Sequence, residues 1–147
     1  MLTWVNDLVT RKDPMICIYC PGDTKVTNSR AQRGGKAIWR RRHCTVCGTI
    51  FTTNEVPDLN ATIRVQKQNE ELEPFSRDVL FYSIAASCGH RKQSALTDAA
   101  ALTDTVITLL LSERSALITT DDLRTMVLLT LERFDKAAAS YYRAYFI

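Results

Sequence analysis

Four cysteines constrain this chain more than any other feature. They stand as two Cys-x-x-Cys pairs, Cys17/Cys20 and Cys44/Cys47, with 23 residues between the pairs. One tight turn of this form presents two sulfurs to a single ion, and a second turn from a separate hairpin completes a tetrahedral set. The spacing is the sequence form of a four-thiolate zinc site with a slightly long insert. Closed coordination leaves no position for a substrate, so the metal it predicts is a structural Zn2+. A module of about 35 residues buries too little apolar surface to fold by its core alone, and metal binding supplies the difference.

Other uses of the thiols fit less well. A thioredoxin-like redox pair needs one Cys-x-x-Cys in a βαβ context, which this pattern lacks. Residues 1–14, "MLTWVNDLVTRKDP", lack the basic start, long apolar core and small-residue cleavage site of a secretory signal. A reducing cytoplasm is therefore expected, where paired cysteines are metal-binding or catalytic more often than disulfide-bonded. Cys88 lies on an expected helix with no partner and reads as a small core residue. His43 adjoins Cys44, but four thiolates already suffice, so it reads as a surface residue; His90 reads as a helix-end or loop residue. No run of 18 apolar residues suggests a transmembrane helix.

Charge divides the chain. Cys17 to Phe51 carries seven Lys/Arg and one Asp, a balance of +6, whereas Thr52 to Ile147 carries ten Lys/Arg and thirteen Asp/Glu, a balance of −3. A basic front and a mildly acidic back suggest two modules with different partners. Within the front, Arg40, Arg41 and Arg42 directly follow Trp39, and Lys25, Arg30, Arg33 and Lys36 add to the same small module. A charge run is often only a solvated surface. A local excess this large with an interleaved tryptophan favours phosphate contact instead, and hence nucleic acid. On a strand the side chains alternate, placing Arg40 and Arg42 on one face and Trp39 with Arg41 on the other.

The periodicity predicts an α+β chain: a small N-terminal β zinc ribbon, then a mainly helical domain with a short β hairpin. "TKVTNS", "KAIWRRR" and "TIFTT" read as strands, with "RAQRGG" as the turn between the first two. "NEVPDLN" has the composition of a linker, and "ATIRVQK" alternates as a half-buried strand. Four helices follow. Ser76 caps the first, with Val79, Leu80, Ile84 and Cys88 inward; Thr97 caps the second, with Leu102, Val106, Ile107, Leu110 and Leu111 on its apolar side. Thr120 starts the third, using Leu123, Met126, Val127 and Leu131, and Asp135 starts the fourth, through Ala138 and Tyr142 to Tyr145 or Phe146. The expected division is 1–14 extension, 15–56 zinc ribbon, 57–62 linker and 63–147 helical domain. No Ser/His/Asp set, catalytic carboxylate pair or GxxxxGK[ST] loop is present, so an enzyme is not expected. The lone "RGGK" fits a ribbon turn.

The stretches "MICIYC", "DTKVTNSR", "WRRRHCTVC", "FTTNEV", "RVQKQN" and "EPFSRDVL" resemble, in order and spacing, the bacterial NrdR-type transcriptional repressors of ribonucleotide reductase genes. That family joins an N-terminal zinc ribbon to an ATP-cone domain. The resemblance implies zinc on Cys17, Cys20, Cys44 and Cys47. It implies double-stranded operator DNA on the basic strand around Arg40, Arg41 and Arg42, with Ser29 and Arg30. It further implies an adenine nucleotide, ATP or dATP, as allosteric ligand at Val65, Gln66, Lys67 and Gln68, with Arg91 as a further cation. A homo-oligomer selected by the bound nucleotide, working in the bacterial cytoplasm at the nucleoid and not at a membrane, completes the expectation. The alternative is a zinc-ribbon adaptor for RNA polymerase or RNA whose helical domain only oligomerises.

The chain departs from the family pattern in its second half. Gln68-Asn69-Glu70 follows Lys67 where the family often has a basic or polar residue and then Asp/Asn-Gly. Val79 stands where a lysine is common, and Glu70, Glu71 and Glu73 add negative charge nearby. Tyr141, Tyr142 and Tyr145 read as packing residues rather than a platform for a base. Because the family commonly begins two residues before its first zinc cysteine, as Met15 does here, residues 1–14 are expected to be dispensable. A chain starting at Met15 should fold and bind DNA as the longer one does; loss of either, by circular dichroism or gel shift, would refute this.

Overall fold

The computed structural model describes residues 15–147, so the expectation about residues 1–14 lies outside the described residues. The chain divides into two compact units, with the boundary after Pro57.

The first unit is a three-stranded antiparallel sheet. Strands β1 (Thr24–Gln32), β2 (Ala37–Cys44) and β3 (Ile50–Glu55) lie in that order. The expected turn "RAQRGG" is shorter than the sequence suggests. Arg30 to Gln32 continue β1, and the reversal is made by a single turn at Arg33–Gly35. Gly34 and Gly35 take φ of 64° and 87° there, a region that costs a residue with a Cβ about 1 kcal/mol or more. β1 bulges between Val26 and Asn28, and the Thr27 hydroxyl at that bulge donates to the Arg41 carbonyl at 3.2 Å.

The second unit places a small mixed sheet beside four helices, which makes the whole chain α+β. The expected linker contains a one-turn helix, α1 (Leu59–Thr62), capped by Asp58, whose carboxylate accepts from the Ala61 N–H at 3.2 Å. Strand β4 (Arg64–Gln66) follows, shorter than "ATIRVQK" suggested because Ala61 and Thr62 belong to that turn. It pairs antiparallel with β5 (Leu72–Pro74) and parallel with a strand the sequence did not reveal, β6 (Leu117–Thr119). The helices are α2 (Arg77–Ser87), α3 (Ala95–Ser112), α4 (Thr120–Phe134) and α5 (Lys136–Phe146).

Caps explain where the helices begin. The Ser76 hydroxyl accepts from the Val79 N–H at 3.3 Å, and Asp135 accepts from Ala137 and Ala138 at 2.8 and 3.2 Å, both as the sequence implied. Helix α4 starts at Thr120 as expected, but its cap is Thr119: the Thr119 hydroxyl accepts from the Asp122 N–H at 3.1 Å and donates to the Asp122 carboxylate at 2.6 Å. Helix α3 begins before Thr97, after Ser94, whose hydroxyl donates to Asp98 at 2.7 Å instead of capping.

The core of this unit joins Ile63, Phe75, Leu80, Ile84, Leu102, Val106, Leu110, Ile118, Val127, Leu131 and Tyr142, with Cys88 fully buried among them. Each fully buried Leu or Ile contributes about 2 kcal/mol, so this unit has the apolar core that the ribbon lacks. Val79 and Leu111, expected inward, are 69% and 38% exposed because they sit off the buried stripes of their helices. Helix α3 is long and apolar enough to cross a membrane by length and composition, with a mean hydropathy of 1.4. Here its stripe of Ala99, Leu102, Val106 and Leu110 packs into the core.

At the β4–β5 reversal Glu70 adopts φ of 66°, and its N–H donates to the Lys67 carbonyl at 3.0 Å. This is the left-handed position where the resembled family often has glycine. Glu70→Gly should therefore stabilise the unit by about 1 kcal/mol, seen as a raised denaturant midpoint at unchanged slope; a lowered midpoint would contradict the turn geometry.

Candidate zinc, DNA and nucleotide sites

The two cysteine turns meet at one point. Cys17 Sγ lies 3.6 Å from Cys47 Sγ, Cys20 Sγ lies 3.5 Å from Cys44 Sγ, and all four sulfurs lie within 4.8 Å of one another. A tetrahedron with zinc–sulfur bonds of about 2.3 Å has edges of about 3.8 Å, close to the two shorter separations, so the four sulfurs are gathered as one ion requires. Backbone groups already point at them. The N–H groups of Tyr19, Val46 and Cys47 donate to Cys17 and Cys44 at 3.4 Å, the arrangement that stabilises negative sulfur. Gly22 lets the two turns approach: a Cβ there would stand 2.7 Å from the Val46 side chain and 3.1 Å from Cys44 Sγ.

The four thiols do not ionise alike. The Thr49 hydroxyl, 3.2 Å from Cys47 Sγ, together with the Thr49 backbone brings the Cys47 thiol down to about 6. At Cys44 the backbone of Cys47 favours the thiolate and outweighs burial. The Gly22 backbone favours the thiolate of Cys20 too, but proton sharing with Cys44, burial and the other thiols push it up to about 12. Cys88 stands apart, buried in the helical unit, its thiol raised chiefly by burial. His43 is half-buried, and among the described residues the cluster of potential ligands is the four cysteines.

The strand pairing sorts the basic residues. Directly paired residues share a face, and the pairs Lys25–His43–Ile50, Asn28–Arg41–Thr52 and Arg30–Trp39–Asn54 define one side of the sheet. The Arg30 guanidinium stands 6.0 Å from the centre of the Trp39 ring. The opposite side carries Val26–Arg42–Phe51 and Ser29–Arg40–Thr53. On that side the arginines are engaged within the ribbon. Arg40 pairs with Glu55 at 3.0 Å, and Arg42 is only 4% exposed, donating to the hydroxyls of Thr53 and Thr24 at 3.4 Å. The three consecutive arginines therefore have three environments, and of them Arg41 is the exposed one.

In the helical unit a cavity of about 620 Å³ opens between β4, the hairpin turn and the helices. Val65, Phe75, Leu80, Leu123, Tyr142 and Phe146 form its apolar wall; Lys67, Gln68, Asn69, Glu73, Ser76, Thr120 and Arg124 bring polar groups to it. Its size and mixed lining are those of a small-molecule site. Three of the five nucleotide residues suggested by the sequence, Val65, Lys67 and Gln68, line it. Gln66 does not; its carbonyl accepts from the Thr120 hydroxyl at 3.1 Å and ties β4 to α4. Arg91 lies elsewhere, bound to Asp98 at 2.8 Å and Asp135 at 3.4 Å with its guanidinium 4.9 Å from the Phe134 ring centre. Arg91 thus joins the α2–α3 loop to the α4–α5 corner. His90 reinforces this junction, 2.9 Å from Asp135, and that contact is the chief reason the Asp135 carboxyl is lowered to about 2.

One cavity cation was not visible from sequence. Arg124 is the cavity's second cation, and on a polar helix face nothing in the sequence marked it. Tyr142 is buried against Phe146 at 5.3 Å and lines the same cavity, so it packs and presents a ring at once. The stacked pair Tyr141–Tyr145 is on the exposed side, with Tyr145 71% exposed.

A four-thiolate ribbon ahead of a helical unit with its own small-molecule cavity defines a two-module protein of the zinc-ribbon and ATP-cone class. Residues 15–55 match the family model described as "Transcriptional repressor NrdR-like, N-terminal domain", and residues 63–147 match the ATP cone domain. The chain belongs to the NrdR-like family. It is 35% identical over 136 residues to a transcriptional repressor NrdR of Parafrankia sp., covering 89% of this chain and 70% of that protein. It is 31% identical over 138 residues to the NrdR of Finegoldia magna, covering 89% of each chain. Over 90 residues it is 40% identical to the NrdR of Thermosynechococcus vestitus, covering 57% of this chain and 55% of that one.

Removal of one ligand tests the ribbon. Cys44→Ser should lose the bound zinc, read by metal analysis, and abolish the ribbon's cooperative melting while the helical unit still melts. A zinc-loaded, folded variant would contradict the ligand set.

Proposed function

We propose that this protein is a zinc-dependent, nucleotide-responsive transcriptional repressor that acts on ribonucleotide reductase genes. The observation that carries the DNA half is the register that gathers Lys25, Arg30, Trp39, Arg41 and His43 on one face of the ribbon sheet. Zinc on Cys17, Cys20, Cys44 and Cys47 would hold that sheet rigid. Arg41 and Arg30 would then meet phosphates or guanine edges, with Asn28 and Asn54 within the same face for hydrogen bonding. Arg40 and Arg42, with their partners inside the ribbon, would support the face rather than touch DNA, and Ser29 shares their side.

The cavity on the helical unit is the adenine nucleotide site on this reading. Its apolar wall suits a base, and Lys67 and Arg124 supply cations for phosphate. A nucleotide that prefers one arrangement of a homo-oligomer would shift the population able to bind operator DNA.

Arg41→Ala should weaken operator binding about tenfold and flatten its dependence on salt, whereas Arg40→Ala should change both much less. Fluorescence anisotropy against operator and random duplexes at several salt concentrations measures this. Equal losses in the two variants would contradict the assignment of faces. Tight binding to RNA polymerase or RNA with no preference for operator DNA would favour an adaptor instead.

A further inference from the structure

Lys67, the cavity's cation just past the end of β4, already has partners. Its ammonium contacts the carboxylate of Glu73, which lines the same cavity, and lies 3.5 Å from the Glu71 carboxylate. This pairing follows from the strand register. Glu73 lies directly opposite Val65, and Val65, Lys67 and Glu73 all line the cavity. The other cation, Arg124, pairs with Asp121 at 3.4 Å, and Asp121 is outside the cavity lining. A phosphate entering the cavity therefore meets one guanidinium whose partner lies outside the lining, and one ammonium held by a carboxylate beside the same space.

We propose that Glu73 sets the charge selectivity of the cavity by holding Lys67 until a ligand phosphate takes its place. Phosphate and Glu73 compete for one ammonium, and the displaced carboxylate remains near the arriving anion. That repulsion grows with every phosphate the ligand carries. Glu73 thus depresses affinity for a nucleoside triphosphate more than for a monophosphate. A pair that only braced the hairpin would not distinguish ligands by charge. Glu71 adds to the hold on Lys67 from outside the cavity and should act in the same direction more weakly. The proposal rests on the reading of this cavity as the nucleotide site.

The test is calorimetric titration of the full chain with ATP, ADP and AMP, using wild type, Glu73→Gln, Glu71→Gln and Lys67→Ala. Glu73→Gln should tighten ATP about two- to fivefold, the range of a solvent-exposed ion pair, and AMP less. Glu71→Gln should show a smaller change with the same order among the nucleotides. Equal or weaker binding of all three by Glu73→Gln, while Lys67→Ala still loses ATP affinity, would overturn the role of Glu73 alone. Unchanged ATP affinity in Lys67→Ala would overturn the cavity reading and this inference together. If Glu73→Gln does not fold, Glu71→Gln carries the test, and indifference to ligand charge in that variant overturns the proposal.

Discussion

The ribbon has almost no apolar interior: among the described residues of that unit, the buried hydrophobic residues are Cys17, Ala37 and Cys44, and two of those three are thiols of the cluster. What can hold such a sheet is the convergence of four sulfurs with edges of 3.5 and 3.6 Å, closed by one ion. Everything proposed about DNA depends on that convergence. The cluster fixes Cys44 at the end of β2, and the register running back from Cys44 decides which arginine faces outward. A one-residue slip would exchange the two faces and bury Arg41 in place of Arg42.

The helical unit is built on the opposite principle. Phe75, Ile84, Val106, Leu110, Val127 and Leu131 are fully buried, and the junction of Arg91 and His90 with Asp98 and Asp135 secures the ends of the helices. On the proposed reading one module is held by metal and meets DNA, and the other is held by its core and meets a nucleotide.

Much of this was legible in the sequence because local rules decide it. Cys-x-x-Cys spacing needs no tertiary knowledge, and Ser76 and Asp135 cap helices through bonds to residues two or three positions away. Several of the misses required contacts distant in the chain. Three residues, Leu117–Thr119, become a strand only because β4, some fifty positions earlier, offers them a parallel edge. Alternation correctly separated Arg41 from Arg40 and Arg42, but not which side is outward, since that depends on Thr24, Thr53 and Glu55. Arg91 looked like a phosphate ligand by charge, but Asp98, one loop on, and the distant Asp135 hold it outside the cavity lining. The unusual Gln68-Asn69-Glu70 stretch proved to be a turn that keeps Lys67 at the cavity, with Glu70 forced into a glycine-like conformation.

Coupling between the two modules is the central claim, and linkage offers its most direct test. Operator affinity would be measured with and without saturating ATP, and ATP affinity with and without saturating operator, on the zinc-loaded chain. The account predicts that each ligand changes the other's affinity by one and the same factor, and that this factor differs from unity. An ATP affinity that is identical in the presence and absence of operator would contradict it.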